Sequence, residues 1–327
     1  MAVANKETYK KLCETEGERI PLFLQHWWME AVCCGKQWDV ALAYNKDGSI
    51  AGALPYLISS KFGLRYILQP QLTQYNGPWY NCPDGLSVRK RLLFQYDVDR
   101  QLIDSLEKLK LAFFSQNFAP SLSNVQTWLP YYWAGYSQTT RYSYRFDPIP
   151  EKETFLKLMS KRDRRRKIEA FLDSVSEDYA VSPDEFTTFY LNYWMSLGKR
   201  CVLTGDFVKR LCETVLERGS GMIVGLRQRG NDQLLGAKFV VYDSSCAYSL
   251  MSAFLRTHDY IGISSCLVWF AVCKLANISR AYDFEGSMDK GIEYFYRSFG
   301  ATPVPYHHVW KCFNPMLKPF VAHFIAN

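Results

Sequence analysis

The stretch YDFEGSMDKGIEYFYRSFG, residues 282–300, says most about the fold of this chain. It begins as a strand that ends in a carboxylate pair, Asp283 and Glu285. A short loop follows, and then a helix from Ile292 to Phe299 that Gly300 ends. Helices also alternate with strand-like segments along the rest of the chain, and this alternation predicts a mixed α and β protein.

The sequence also contains an internal repeat, which indicates how the rest of the chain is organised. One fixed shift aligns, without a gap, the segment beginning at Val40 with the segment beginning at Val224. Each copy reads as a helix followed by a hairpin whose second strand opens with the pattern apolar-x-Gly-Ala, at 50–53 and at 234–237. The helix and the hairpin recur in the same order, which favours duplication of one unit.

Length and composition agree with two units. At about 100 to 200 residues per domain, 327 residues predict two domains, and 48% hydrophobic against 22% charged residues is typical of a globular protein. Two prolines interrupt the pattern within Asp147–Pro150. We therefore expect one domain over 1–147 and a second over 148–327.

The net charge, the cysteines and the apolar runs indicate where the protein is located and which partners it favours. The net charge of +7 favours anionic partners, and the ten scattered cysteines, without a C-x-x-C pair, indicate reduced thiols. The polar start Met1–Gly17 lacks the apolar stretch of a signal peptide, and the most apolar run, Cys266–Ala276, is too short to cross a bilayer. These features predict a cytoplasmic protein without a membrane span.

The sequence lacks the characteristic motifs of several enzyme classes. The sequence contains no dinucleotide-binding, P-loop, nucleophile-elbow or zinc-protease pattern. His307 and His308 are adjacent on a predicted strand, so their side chains point to opposite faces and no metal site is expected.

A family resemblance rests on the same tail. Tyr-Asp-Phe-x-Gly from Tyr282, Gly-Ile in the loop and Phe-x-x-x-Phe-Gly up to Gly300 resemble the C-terminal signature of the FemAB-like branch of the GNAT acyltransferase superfamily. The run 296–301 is also similar to the Tyr-x-x-x-Gly-Phe element of other GNAT enzymes, with Ala301 in place of the Phe. The resemblance implies two tandem GNAT-like domains, each a mixed, mostly antiparallel sheet flanked by helices, in agreement with the repeat.

The resemblance also implies a reaction, the transfer of an acyl group from an acyl-CoA or an aminoacyl-tRNA to an amine. Such a transfer needs a group that takes the proton of the amine and a group that returns a proton to the leaving group. We expect Glu285 to be the base or to orient the amine, with Asp283 as its companion on the same strand face. The alternatives are a turn cap for Asp283 and a structural salt bridge for Glu285.

Tyr296 matches the GNAT tyrosine that lies near the thioester sulfur and protonates the leaving thiolate. The FemAB pattern has Lys at this place, so Tyr296 favours acyl-CoA over tRNA as the donor. The alternative for Tyr296 is an aromatic ring packed into a core.

The donor phosphates have no standard GNAT site in this sequence. The pyrophosphate motif Arg/Gln-x-x-Gly-x-Gly/Ala is absent after the strand Ala247–Phe254, and 256–265 takes its place. We expect N–H groups at the start of the following helix to hold phosphate, with Arg256 or His258 nearby, although a serine there also suits an N-cap. The expected donor-binding set is Gly262, Ser264, Ser265, Arg256 and Arg297.

A basic run, Lys161–Lys167, holds six cationic residues out of seven. It resembles the basic helix that opens the second half of FemAB-like proteins. We expect it to bind phosphates of CoA, of tRNA or of a nucleotide- or lipid-linked acceptor, the alternative being a solvated helix face. The residues expected to bind are Lys161, Arg162, Arg165 and Arg166.

Three functions compete on these observations. The first is acyl-CoA-dependent acylation of an amine on a small molecule or a cell-envelope precursor. The second is FemAB-type aminoacyl transfer from tRNA to a peptidoglycan or lipid amine. The third is a non-catalytic binding module on the same fold, consistent with the missing pyrophosphate motif.

Overall fold

The computed structural model describes residues 2–120, 128–256, 260–317 and 319. The strands in these residues are β1 Trp38–Tyr44, β2 Ile50–Lys61, β3 Leu64–Leu68, β4 Trp79–Tyr80, β5 Phe113–Phe118, β6 Ser137–Phe146, β7 Val175–Asp178, β8 Gly221–Gln228, β9 Leu234–Tyr242, β10 Cys246–Phe254, β11 Ala281–Asp283 and β12 Thr302–Cys312. The α-helices are α1 Ala2–Glu16, α2 His26–Cys33, α3 Val88–Glu107, α4 Leu129–Trp133, α5 Lys152–Leu158, α6 Arg166–Phe171, α7 Pro183–Ser196, α8 Gly205–Glu217, α9 Tyr260–Leu275 and α10 Lys290–Arg297.

The chain divides into two compact units. The first unit consists of Met1–Arg141 together with Pro305–Asn327, and the second unit is Tyr142–Val304. The first division falls inside β6, ahead of the predicted break at Asp147–Pro150. The second falls inside β12, so the segment from Pro305 groups with the first unit, whereas the sequence predicts one domain over 148–327. The physical reason is long-range pairing, because β12 forms an antiparallel ladder with β5 from His307 to Cys312.

The first unit contains a sheet in the order β1-β2-β3-β5-β12, with β4 paired to β2. β3 and β5 run parallel, and the other ladders described in this unit are antiparallel. Its core combines residues of the sheet and of α3 and α4, among them Leu54, Leu102, Phe114 and Tyr131.

The second unit contains a sheet in the order β6-β11-β10-β9-β8-β7. The ladders are antiparallel except between β10 and β11, which α9 joins in a parallel crossover. α9 contacts β8, β9 and β10, and aromatic rings fill the core: Phe155 stacks on Trp269 with 5.4 Å between the ring centroids. The mixed α/β class predicted from the sequence is therefore confirmed.

Both copies of the repeat form antiparallel hairpins, β1–β2 and β8–β9, and α2 and α8 precede them. The hairpins differ in register by one residue. Val40 pairs with Pro55, whereas Val224 pairs with Lys238. Under the shift that aligns the copies, the counterpart of Lys238 is Leu54, a fully buried core residue. The second hairpin therefore has a cation at a position that is apolar in the first.

The bend after β11 is tightly constrained. Gly286 has φ +54°, and a Cβ atom at this position would lie 2.2 Å from the carbonyl oxygen of Tyr142 and 2.5 Å from the Cα of Ser143. Glu285 is also left-handed, with φ 65°. The close approach to β6 explains why a glycine must follow Glu285.

We expect Gly286→Ala to destabilise the fold by at least about 2 kcal/mol, because it combines a left-handed backbone with a backbone clash. Gly63→Ala is the matched control, since Gly63 has φ +74° and open space around it, and about 1 kcal/mol is expected there. Urea unfolding followed by circular dichroism measures both. Equal losses in the two variants would contradict the constraint at Gly286.

Candidate active site

A cavity of about 980 Å³ lies in the second unit. Much of its wall is aromatic and comes from α7, β10 and α10: Tyr190, Tyr193, Trp194, Phe254, Phe295 and Tyr296. The polar part of its lining contains the cations Arg162, Arg164, Lys167 and Lys238 and the hydroxyls of Ser249, Ser252 and Ser264. A largely apolar cavity with a few polar groups is the usual form of a small-molecule site.

Lys238 provides a buried cation in this lining. It lies in the middle of β9, is only 5% exposed, and its Nζ donates hydrogen bonds to Ser249 Oγ at 2.7 Å and Ser252 Oγ at 2.6 Å. Burial lowers the pKa of Lys238 to about 8, while the negative charge of Glu285 acts in the opposite direction. The group therefore holds a proton at neutral pH but loses it more readily than an exposed lysine.

Glu285 interacts electrostatically with Lys238 and with Tyr296, which both line the cavity, although it is not itself part of the lining that is described. Its carboxyl group is buried. Burial raises the pKa of Glu285 well above its usual range, the charge of Asp283 raises it further, and Lys238 partly offsets both. An ionised Glu285 would consequently be a much stronger base than an exposed glutamate.

Asp283, the second predicted carboxylate, is fully buried in a network of its own. Its Oδ2 accepts from Arg145 Nη2 at 2.8 Å and Nε at 3.2 Å, and its Oδ1 accepts from the hydroxyl of Ser143. The N–H of Glu285 also donates to Asp283 Oδ1, at 2.7 Å. These contacts suit Asp283 to positioning the bend that carries Glu285.

Tyr296 lies on α10 and lines the cavity, as a group acting on the leaving thiolate must. Its ring packs on Phe284 with 5.0 Å between the centroids. Burial raises the pKa of Tyr296, and the charges of Glu285 and Asp283 raise it further. The phenol therefore keeps its proton at neutral pH and is available as a donor.

The structure separates the members of the basic run. Arg162, Arg164 and Lys167 line the cavity, whereas Arg165 donates to Glu169 Oε1 at 2.8 Å. Lys161 and Arg166 are exposed and outside the described lining. Arg164, which did not belong to the expected phosphate-binding set, is only 5% exposed, and its guanidinium lies 4.4 Å from the ring centroid of Phe295.

The structure places the residues expected to bind the donor in different surroundings. Ser264 lines the cavity, and the hydroxyls of Ser264 and Ser265 both donate to the carbonyl of Ile261 inside α9, so neither is the N-cap of that helix. Gly262 lies in the first turn of α9, where a Cβ atom would be 2.6 Å from Phe171 Cδ2. The first turn thus approaches α6 closely, and Ile261 within it lines the cavity.

Both predicted arginines of this set are exposed. Arg256 lies close enough to Tyr193 for its charge to offset part of the rise that burial causes in the pKa of Tyr193. Arg297 pairs with Glu293, with 2.8 Å between Nε and Oε1, and is outside the described lining. His258 falls outside the described residues.

Lys238 and Arg164 do not stand out in the sequence as site residues. Lys238 is the single charge in the apolar segment Leu234–Tyr242, and this break in an otherwise apolar strand was the available signal. Arg164 has five cationic neighbours within 161–167. Its burial depends on the π-helical turn Lys161–Arg165, which the local sequence pattern does not reveal.

Within the described ranges, no group of three His, Cys, Asp or Glu side chains is arranged to hold a metal ion. None of the helices in those ranges is both long enough and apolar enough to cross a bilayer.

Several proteins of known structure share the fold of this chain. Residues 159–294 match the acetyltransferase (GNAT) domain family. The crystal structure of FemX is similar with a TM-score of 0.70 and 10% identity, covering 97% of this chain and 98% of that chain. L-PGS from Bacillus licheniformis has a TM-score of 0.57 and 11% identity, covering 98% of this chain and 97% of that chain.

A tandem GNAT protein from the clavulanic acid biosynthesis pathway is also similar, with a TM-score of 0.50, 12% identity and 94% of each chain covered. No curated protein matches the chain in sequence. The chain therefore shares the fold of these structures, which is built from tandem GNAT-like domains. The GNAT family match lies in the unit that contains the cavity.

The Arg145–Asp283 pair generates a prediction for stability. Its side chains are 7% and 0% exposed, so Arg145→Met leaves a buried carboxylate without its cation and should cost about 3–5 kcal/mol. Adding Asp283→Asn removes that charge, so the double variant should lose clearly less than the sum of the two single variants. Thermal and urea unfolding of the four proteins measure this coupling; additive losses would show that the pair does not act as a unit.

Proposed function

We propose that this protein is an acyltransferase that moves an acyl group from acyl-CoA to an amine, and that the reaction takes place in the cavity of the second unit. The observation that carries the proposal is the group formed by Lys238, Glu285 and Tyr296, in which two proton-carrying side chains line the cavity and interact with a buried carboxyl. The GNAT family match over 159–294 supports acyl transfer as the class of reaction.

In the proposed reaction the amine nitrogen attacks the thioester carbonyl directly. The new C–N bond forms first and gives a tetrahedral intermediate; when this intermediate collapses, the C–S bond breaks and its electron pair leaves on sulfur. Glu285 takes the proton that the amine loses, and Tyr296 gives its proton to the thiolate. Transfer of the proton from Glu285 to Tyr296 then restores both groups, so the products are an amide and the free thiol.

Acyl-CoA is favoured as the donor because its phosphates and its acyl group need different surroundings. Arg162 and Lys167 are exposed cations in the lining and suit phosphate. The apolar wall suits the pantetheine arm and the acyl group, and Tyr296 takes the place that in GNAT enzymes lies near the sulfur. We propose a small molecule or a cell-envelope precursor as the amine, and the cytoplasm, where free thiols such as all ten cysteines persist, as the location.

Aminoacyl-tRNA remains the second candidate donor because of Lys161 and Arg166. These two cations are exposed and outside the described lining, where they can bind a polyanion too large for the cavity. The overall likeness to FemX is compatible with either donor.

Thermal unfolding with CoA, with tRNA and without either compound separates the candidates. We expect CoA to raise the Tm by several degrees, since a ligand at about 100 times its Kd adds about 2.7 kcal/mol of stability. Stabilisation by tRNA alone that weakens with added salt, and weakens in Lys161→Ala with Arg166→Ala, would transfer the proposal to the second donor. Stabilisation by CoA without turnover of any amine would indicate the non-catalytic binding module.

Tyr296→Phe and Glu285→Gln should lower kcat about 10²–10⁴-fold, the usual contribution of a positioned acid or base. The stability of both variants should stay near that of the wild type, because each change removes one atom or one charge. Tyr132→Phe and Glu177→Gln are matched controls at exposed positions. Steady-state release of CoA measures turnover, and a kcat within threefold of the wild type in either site variant would remove that residue from the mechanism.

A further inference from the structure

We infer that Lys238 is a further catalytic residue, which donates a hydrogen bond to the carbonyl oxygen of the acyl donor and stabilises the oxyanion that forms there. The inference rests on the proposed acyl transfer and adds a component that the motifs of the sequence do not contain. It assigns the part of the cavity lining formed by Lys238, Ser249 and Ser252 to the reacting carbonyl.

The hydrogen bonds of Lys238 leave one donor for a ligand. A protonated lysine carries three N–H donors, and two of them are taken by Ser249 and Ser252. The third makes no hydrogen bond to any residue in the described ranges, and Lys238 itself lines the cavity. A substrate oxygen inside the cavity is the natural acceptor for this third N–H.

A structural role alone does not account for the position of Lys238. Its neighbours in the strand, Ala237 and Phe239, are fully buried, and its counterpart in the first hairpin is the core residue Leu54. The two serines that accept its hydrogen bonds are neutral, and the charge of Glu285 offsets only part of the cost of burying the cation. Leu54, the counterpart by sequence, and Pro55, the counterpart by ladder position, are both buried and uncharged, so a hairpin of this kind does not require a charge here.

The charge of Lys238 suits the chemistry of the carbonyl. When the amine attacks, the electron pair of the C=O bond moves onto oxygen, and the third N–H of Lys238 faces the resulting oxyanion. When the intermediate collapses, the pair returns to form the C=O bond of the amide and the C–S bond breaks. Lys238 keeps its proton throughout, so it neither gains nor loses an atom in the cycle.

Several charged or titratable groups surround Lys238. Glu285 is the charge that acts most directly on it. Others line the same cavity from the 161–167 segment, α7 and α10: Arg162, Asp163, Arg164, Lys167, Tyr190, Tyr193, Tyr294 and Tyr296. With a pKa of about 8, Lys238 is the cavity group expected to lose its charge just above neutral pH. The stabilising cation should therefore disappear as the pH rises through 8.

Lys238→Met tests the inference, because methionine fills similar space without the charge. We expect kcat to fall about 10²–10³-fold, as when an oxyanion donor is removed, while the Tm rise caused by CoA stays within a degree of the wild-type rise. Lys274→Met, at an exposed lysine of α9 in the same unit, is the control and should keep full activity. A Lys238→Met enzyme that retains kcat within threefold would overturn the inference.

The pH profile of Lys238→Arg gives a second readout. With an acceptor amine that is neutral over the whole range, wild-type kcat should fall above about pH 8. A guanidinium stays charged at this pH, so Lys238→Arg should keep part of the activity and lose the alkaline fall. A fall at the same pH in this variant would assign the ionisation to another group and contradict the inference.

Infrared difference spectra of bound acetyl-CoA, labelled with ¹³C at the thioester carbonyl, report on the hydrogen bond without turnover. The C=O stretch should shift to lower frequency in the wild type and return towards its solution value in Lys238→Met. An identical stretch in the two proteins would overturn the role of Lys238 even if acyl transfer itself is established. Absence of acyl transfer from the wild type would instead overturn the proposed function.

Discussion

The buried ion pair between Arg145 and Asp283 is the interaction on which the geometry of the site depends. It joins β6 to β11 with neither side chain appreciably exposed, and a carboxylate in such surroundings stays charged only while its cation is present. The same carboxylate receives the N–H of Glu285, and Gly286 then turns the chain against the backbone of β6. One pair of charges thus determines where the carboxyl of Glu285 is held.

The second unit contains several buried charged side chains, which are uncommon in the interior of a protein. Lys238, Arg164 and Glu285 are buried, and water screens electrostatic interactions weakly in a protein interior. Such groups lower the stability of a fold, but they are also fixed in place before a substrate binds. An enzyme gains from this because oriented charges need no rearrangement when a new charge develops on the substrate.

The sequence predicted the class and the repeat because both depend on local patterns. Hairpins with polar turns and a strand–bend–helix tail can be recognised from a few adjacent residues, and Tyr296 could be placed in the site by resemblance. The pairing of β12 with β5 could not be predicted from local patterns, since it joins residues far apart in the chain. Arg297 was expected beside the donor, but adjacent residues of a helix point about 100° apart, and its side chain pairs with Glu293 instead.

A crystal structure with an unreactive ketone analogue of acetyl-CoA, in which a methylene separates sulfur from the carbonyl, tests the central claim most directly. The account predicts that the analogue occupies the cavity, with its carbonyl oxygen about 2.7–3.2 Å from Lys238 Nζ and its sulfur next to the hydroxyl of Tyr296. An analogue bound outside the cavity, or inside it with the carbonyl directed away from Lys238, would contradict the account.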